Sequence, residues 1–351
     1  MAMPLVSILI PAFNAEEWIA DTVRSALAQT WQSKEVIVVD DGSTDGTLAV
    51  LQRFELDGVH VVTQQNQGAA AARNNAFSLS RGEYIQWLDA DDLMSPDKIA
   101  CQMEAVEQGA SQRKLLSAQW GTFMYRSSSA RFTPSALWEN LSPVEWLLRK
   151  MGQNLFMANS SWLVSRELTN DAGPWDTRLI VDDDGEYFCR VLLASDGVRF
   201  VPDARVYYRD IGSNSVSHIG SNEKKIEAQW LSMQLHIQYL RSLEESERVR
   251  IACRKFLQNW YEVFYPGRPD LVAELKTLAG QLQGQLEEPR LRSKYAWMKP
   301  LLGRGVAKQA QNALPQIKAN FLRHYDKAMY RLEGRTAGTN RTAKEAERMH
   351  S

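Results

Sequence analysis

The segment IQWLDADD (Ile85–Asp92) closes an apolar run with three carboxylates, Asp89, Asp91 and Asp92. Like charges this close repel by a few kcal/mol at an effective dielectric of about 20. A chain tolerates such a cluster when a cation sits in it or when water solvates it. Asp89-x-Asp91 at a strand end is a hard-oxygen donor set that suits Mg²⁺ or Mn²⁺, with substrate phosphates completing the shell. Such an ion offsets the charge that builds on a departing diphosphate. A lone D-x-D is common and is usually a solvated loop. Here the apolar strand before it and the polar junctions elsewhere favour the cation.

Four other stretches carry residue types able to do chemistry. VVDDGSTD (Val38–Asp45) is a second acidic strand end, whose aspartate can accept an N–H from a nucleobase such as uracil. Ser43, Thr44 and Asp45 suit a helix N-cap equally well. PAFN (Pro11–Asn14) offers a rigid turn and a ring, Phe13, that can stack on a base or pack in the core. In NQGAAAARNN (Asn66–Asn75), Gly68 stands where backbone must approach something closely, and Arg73 falls in the first turns of a helix. A helix N-terminus and an arginine both favour phosphate, whereas the alanines suit tight packing on a sheet. DDDGEYFCR (Asp182–Arg190) opens a helix with three carboxylates. The helix dipole favours them there, and one can act as a general base on an attacking hydroxyl.

The elements that must position these groups follow from periodicity. Short apolar runs at Val6–Ile10, Glu35–Val39, Val59–Gln64 and from Glu83 to Asp92 alternate with helical stretches over the first hundred residues. Asn14 with Glu17 forms an N-cap pair for the first helix, one face of which carries Trp18, Ile19, Thr22, Val23, Ala26 and Leu27. Ser95 caps a fourth helix, with Pro96 at its first position and Gly109 as its stop. Continuously apolar strands alternating with helices imply a parallel sheet covered on both faces. Ligands of such sheets bind at the carboxyl ends of the strands, and the polar junctions all fall at that edge. Beyond Leu115 a further strand, a helix opened by Ser142 and Glu145, the helix Asp182–Ser195 and two short strands in VRFVPDARVYYRD are expected. From Ser221 the pattern is helical. The expected organisation is a catalytic domain over 1–220, a helical region over 221–335 and a disordered tail over 336–351.

The bulk numbers fit a soluble globular chain of about two domains: 351 residues, 44% hydrophobic and 24% charged. Three widely spaced cysteines, Cys101, Cys189 and Cys253, form no CxxC pair and suit a reducing compartment, the cytoplasm. No apolar run is long enough for a spanning helix, and the start reads as a first strand, not a signal peptide. Charge is unevenly placed: residues 290–351 hold 14 Lys+Arg against 4 Asp+Glu. That basic end, interleaved with Trp297, Leu301, Leu302, Phe321, Tyr325 and Tyr330, suits either an anionic membrane surface or an ordinary helix pair with a solvated basic face. It matches no nucleic-acid reader, so no nucleic-acid partner is expected.

Taken in order, VSILIPAFNAEEWIADTVRSALAQTW, EVIVVDDGSTDGT, NQGAAAARNNAF, GEYIQWLDADD and DDDGEYFCRVL resemble family 2 glycosyltransferases of the GT-A fold. The resemblance is strong over roughly residues 4–100, thinner from 155 to 217 and absent beyond. It implies inverting transfer of a sugar from a nucleotide-diphosphate donor, UDP favoured, to a hydroxyl acceptor on a glycan or lipid-linked carrier, aided by Mn²⁺ or Mg²⁺. Carried over by position, Pro11, Ala12, Phe13 and Asn14 would line the nucleoside pocket, and Asp41, with Asp40 beside it, would contact the base. Gly68 and Arg73 would lie near the donor, Asp89 would face ribose, sugar or metal, and Asp91 would bind the metal. Asp184 falls at the family's base position, with Asp183 as the alternative, because Gly185-Glu186 replaces the usual bulky neighbour. YYRDIGSNSVSH resembles the family's closing segment and makes His218 a candidate metal ligand. Two rival classes are a non-catalytic nucleotide-sugar-binding module and a sugar nucleotidyltransferase. The latter needs a basic Gly-rich loop where this chain has the acidic PAFNAEE.

Overall fold

The computed structural model describes residues 3–109, 111–212, 219, 222–265, 267–288, 322–330 and 332. The chain runs β1 (Val6–Ala12), α1 (Ile19–Leu27), β2 (Lys34–Asp40), α2 (Thr47–Gln52), β3 (His60–Thr63), α3 (Ala69–Leu79), β4 (Tyr84–Trp87), β5 (Leu93–Met94) and α4 (Lys98–Glu107). There follow β6 (Leu115–Phe123), β7 (Arg131–Phe132), α5 (Pro143–Gln153), β8 (Val164–Ser165), α6 (Arg166–Ala172), α7 (Asp183–Ala194) and β9 (Val198–Arg209). Three helices come next: α8 (Glu223–Leu243), α9 (Glu247–Phe264) and α10 (Pro269–Gln281).

Among the described residues the first sheet has the order β3-β2-β1-β4-β8. Its first four strands are parallel, and β8 runs antiparallel to β4. The strands are apolar on both sides because each face has its own cover. Leu9, Ile37, Val39, Ile85 and Trp87 point into one core, with Ala70, Ala72 and Ala76 of α3 and residues of α5 and α7–α9. Val6, Ile8, Ile10, Val36 and Val38 point into the other, with Ile19, Val23 and Ala26 of α1 and Ile99 and Met103 of α4. Successive strand residues alternate between these cores, as a period of two requires.

The second sheet has the order β5-β9-β6-β7. VRFVPDARVYYR forms one strand of 12 residues rather than the two short ones expected. The reason lies in its neighbour: β5 pairs with β9 only at Val206 and Tyr207, so that side of the strand is uncontested at Pro202.

Two helix starts also differ from expectation. α1 begins at Ile19 after a turn, and Asn14 does not cap it; φ of Asn14 is 47° and its side chain accepts from Thr44 N at 2.8 Å. α4 begins at Lys98, with Pro96 in the turn before it, since Lys98 N bonds the Ser95 carbonyl at 3.1 Å. Gly109 does end that helix, at φ 96°. The Ser142 cap forms as expected, accepting from Glu145 N at 3.3 Å.

The chain divides into two compact units. The first comprises Met1–Gly121, Phe132–Tyr208 and Val216–Glu288, and holds both cores. The second comprises Thr122–Arg131, Arg209–Ser215 and Pro289–Ser351. Within it residues 322–330 are helical, and buried Asp326 accepts from Tyr125 N at 2.9 Å and Arg126 Nε at 2.7 Å. Arg323 pairs with Asp210 at 3.1 Å. Trp297, Leu301, Leu302, Phe321 and the expected tail over 336–351 lie outside the described residues. No described helix is long and apolar enough to cross a membrane.

Candidate active site

The ARNN turn of α3 organises the carboxyl edge of the first sheet. Arg73 is buried and forks between two distant carboxylates: Nη2 meets Asp89 Oδ1 at 2.8 Å and Nη1 meets Asp183 Oδ2 at 2.5 Å. Its guanidinium lies 4.4 Å from the centre of the Trp175 ring. Burial works against the charge, but Asp183 and Asp89 outweigh it and hold the guanidinium's pKa above its ordinary value. Asn74 pins the Trp175 backbone, donating to its carbonyl at 2.9 Å and accepting from its N–H at 2.8 Å. Asn75 donates to Gln64 Oε1 at 2.7 Å, and Gln64 donates in turn to Asp41 Oδ1 at 2.7 Å.

Asp41 thereby closes the loop that feeds α3. It also accepts from the N–H groups of Gln67 at 2.9 Å and Gly68 at 2.8 Å. Gly68 sits at φ 93°, ψ 163°, in backbone space that only glycine enters cheaply, and a side chain there would meet open space. Its glycine is therefore required by the turn and not by close packing. Asp40 is buried beside Asp41, with Ser43 N at 3.4 Å.

PAFN and DGSTD are laced together across the first two strand ends. Asn14 N donates to Ser43 Oγ at 2.9 Å, and Ala15 N to Thr47 Oγ1 at 2.7 Å. Pro11 and Ala12 end β1 and are buried, whereas Phe13 is left 49% exposed at the sheet edge. An aromatic face in that position is available for stacking on a planar ring.

The DADD segment is held from below. Asp89 Oδ1 accepts from Asn159 Nδ2 at 2.9 Å as well as from Arg73. Asp92 is fully buried and accepts from Ser160 Oγ at 2.7 Å, while Thr22 Oγ1 bonds the carbonyls of Ala90 and Asp92, each at 2.9 Å. Asn159 and Ser160 belong to a 3-10 turn, Asn159–Ser161, gripped by Gln86 and Gln102 through the carbonyls of Ser160 and Ser161. Lys98, wholly buried, bonds Gln86 Oε1 and the Trp162 carbonyl, and burial drives its pKa well down. Asp91 is half-buried between these anchored neighbours.

Tyr208, near the end of β9, reports how the acids are grouped. Burial raises its phenol's pKa, and the charges of Asp92, Asp91, Asp184 and Asp89 raise it further. The acids from the fourth strand end and from α7 therefore share one neighbourhood. At the start of α7 the two candidate bases differ. Asp183 is engaged by Arg73; its carboxyl is still raised by burial, with Arg73 pulling the other way. Burial pushes the Asp184 carboxyl up to about 7, and Asp183, Asp182 and Asp89 add to the rise.

Whether these residues fit a divalent ion can be judged from the donor set. The carboxylates around Tyr208 are hard oxygens in excess over Arg73. No group of three His, Cys, Asp or Glu able to hold a metal occurs among the described residues. An ion there would take few protein ligands and complete its shell with phosphate oxygens and water, the pattern Mg²⁺ and Mn²⁺ accept. His218 lies outside the described residues. A hollow of about 240 Å³ behind Trp175 is lined by Asn74, Phe77, Trp87 and Tyr187. It offers no sugar platform, because Arg73 covers one face of Trp175 and Tyr187 stacks on the ring at 4.0 Å.

Asn159, Ser160, Trp175 and Tyr208 were not singled out in the sequence. NSS before a short strand and the second tyrosine of VYYRD are their only local marks.

A mostly parallel sheet with helices on both faces and acids converging at its carboxyl edge defines a GT-A nucleotide-diphospho-sugar transferase fold. Residues 7–172 match the family described as Glycosyl transferase family 2. It is 46% identical over 104 residues to TuaG of Bacillus subtilis (strain 168), a glycosyltransferase assigned to teichuronic acid biosynthesis, covering 29% of this chain and 41% of that protein. It is 46% identical over 99 residues to a chondroitin synthase of Escherichia coli, covering 28% and 14%. It is 41% identical over 107 residues to WfaP of Escherichia coli, a UDP-Glc:alpha-D-GlcNAc-diphosphoundecaprenol beta-1,3-glucosyltransferase, covering 30% and 42%. The matched stretch thus spans less than half of each of these relatives. The crystal structure of S. aureus TarS 1-349 in complex with UDP-GlcNAc superposes with a TM-score of 0.61 at 18% identity, covering 79% of this chain and 81% of that one.

Proposed function

We propose that the chain transfers a sugar, with inversion, from a UDP-sugar to a hydroxyl of a growing glycan or lipid-linked acceptor, with Asp184 as general base. The observation that carries this reading is the division of labour at α7. Arg73 occupies Asp183, while the Asp184 carboxyl titrates near 7 in the neighbourhood of Asp89 and Asp91. A base tuned to about neutral pH removes a hydroxyl proton most effectively. In the step, the acceptor O–H gives its proton to Asp184 as its oxygen bonds the anomeric carbon, and the bond from that carbon to the diphosphate breaks on the opposite face. Phe13 and the Asp40–Asp41 edge would receive the nucleoside, a role consistent with the exposed ring. Asp91 and Asp89 would hold Mn²⁺ or Mg²⁺, which neutralises charge on the departing diphosphate. Arg73 keeps Asp89 and Asp183 oriented so that neither carboxylate swings onto the other.

The relatives' printed activities support polymer or lipid-linked acceptors. The positive surplus over 290–351 supports a cytoplasmic enzyme peripheral to the inner face of the membrane.

The test is thermal stabilisation by UDP with and without Mn²⁺, followed by donor hydrolysis in the wild type, Asp91→Ala and Asp184→Asn. Expected are Mn²⁺-dependent UDP binding lost in Asp91→Ala, and binding without turnover in Asp184→Asn. UDP binding by the wild type with no turnover on any acceptor would instead favour a binding module.

A further inference from the structure

We propose that α8 is the positioning element for the catalytic base, acting through a hydrogen bond from Ser232 to Asp182 that sets the left-handed turn into α7. This inference rests on the glycosyltransferase reading above. Asp182 precedes Asp183 and Asp184 and adopts φ 52°, ψ 27°, a conformation most side chains avoid. Its carboxylate makes no cap bond to α7. Instead Oδ2 accepts from Ser232 Oγ at 2.6 Å, and Oδ1 folds over Gly185, where an added methyl group would overlap it. That explains the glycine in DDDGEYF. A second tie from α8 steadies the same helix: Tyr239 donates to Glu186 Oε1 at 2.7 Å, and Arg190 holds Glu186 at 2.8 Å.

Ser232 is kept in its donating state by the residue one turn further on. His236 is wholly buried, and its Nδ1 lies 2.8 Å from the Ser232 carbonyl. A carbonyl only accepts, so Nδ1 carries the hydrogen. Nε2 is then bare and faces Lys150 Nζ of α5 at 3.4 Å. Burial first, then Lys150, lowers the pKa of His236 and keeps it neutral. With Nδ1–H committed to the carbonyl, the Ser232 hydroxyl is directed onto Asp182. Among the described residues Lys150, Asp182, Glu186 and the Phe256 ring surround this imidazole. Four elements therefore converge on this imidazole, whose neighbour Ser232 holds the Asp182 carboxylate, and the two residues that follow Asp182 are the partner of Arg73 and the proposed base.

The test is a double-mutant cycle of Ser232→Ala and Asp182→Ala, with Asp182→Asn as the conservative variant. Each single change is expected to lower kcat about tenfold with donor KM and UDP affinity held and only a small fall in Tm, and the double variant to be no slower than the singles. Asp182→Asn still accepts from Ser232 and tolerates the left-handed turn, so it should retain kcat within about threefold. Unchanged kcat in Ser232→Ala overturns the proposal, as does a joint fall of kcat, UDP affinity and Tm. A crystal structure of Ser232→Ala gives a readout independent of turnover. Asp183 should leave Arg73, and an unaltered pair overturns the proposal. If the wild type transfers no sugar, the enzyme reading fails and this structural readout still decides.

Discussion

Asp184→Asn should abolish transfer and, at the same time, stabilise the folded protein at alkaline pH. The ordinary carboxyl value is 3.8, and burial with the neighbouring Asp183, Asp182 and Asp89 raises it to about 7. At roughly 1.4 kcal/mol per pKa unit, that rise corresponds to at most about 4 kcal/mol. The side chain is only half-buried, and solvent screening reduces the figure to about 2 kcal/mol. The sign follows from proton binding. The folded state keeps a proton that the unfolded chain has already released, so this contribution is full below the ordinary value and is lost as pH rises towards 7. An asparagine mimics the protonated form and escapes that loss. The assay is urea unfolding of wild type and variant, free of nucleotide and metal, at about pH 4 and about pH 8.5. Nearly equal stabilities are expected at the lower pH, with the variant about 2 kcal/mol more stable at the higher. A stability difference independent of pH, or a variant less stable at the alkaline end, would refute the reasoning. Wild-type turnover should fall as pH drops below about 7, because a protonated Asp184 accepts nothing.

Further outcomes follow from single contacts. Arg73→Ala leaves Asp89 and Asp183 facing each other without their shared cation and should cost about 3–5 kcal/mol in denaturant unfolding. Arg73→Lys should recover little of it, since one ammonium lacks the planar fork that spans both carboxylates. Gly185→Ala collides with the Asp182 carboxylate and should destabilise by about 1–3 kcal/mol, and removing that carboxylate with Asp182→Ala should relieve most of the clash. Ser160→Ala strips the buried Asp92 of its hydroxyl donor and should cost about 1–3 kcal/mol, read from the urea midpoint at constant m.

Much of this protein was legible in local pattern. Apolar runs such as VSILI and EVIVV are strands because both of their faces meet helices, and that demand leaves continuous hydrophobicity in the sequence. The carboxyl ends of those strands leave the core together, so the polar junctions PAFN, DDGSTD and DADD mark one edge in the sequence itself. The start of α7 was equally plain from its acids and its apolar face. What the pattern did not carry were choices between chemically identical groups. Asp183 and Asp184 are adjacent and of one type, and what separates them is an arginine 110 positions away that hydrogen-bonds the first. Asn14 looks like a helix cap, yet its side chain serves a loop 30 positions on. Asp41, Asn159, Ser160, Tyr208 and Ser232 owe their tasks to partners distant in the chain. Periodicity encodes burial, which each residue experiences through its near neighbours and its face. Hydrogen-bond partnership and charge tuning depend on which side chains meet after folding, and that was decided by the tertiary structure alone.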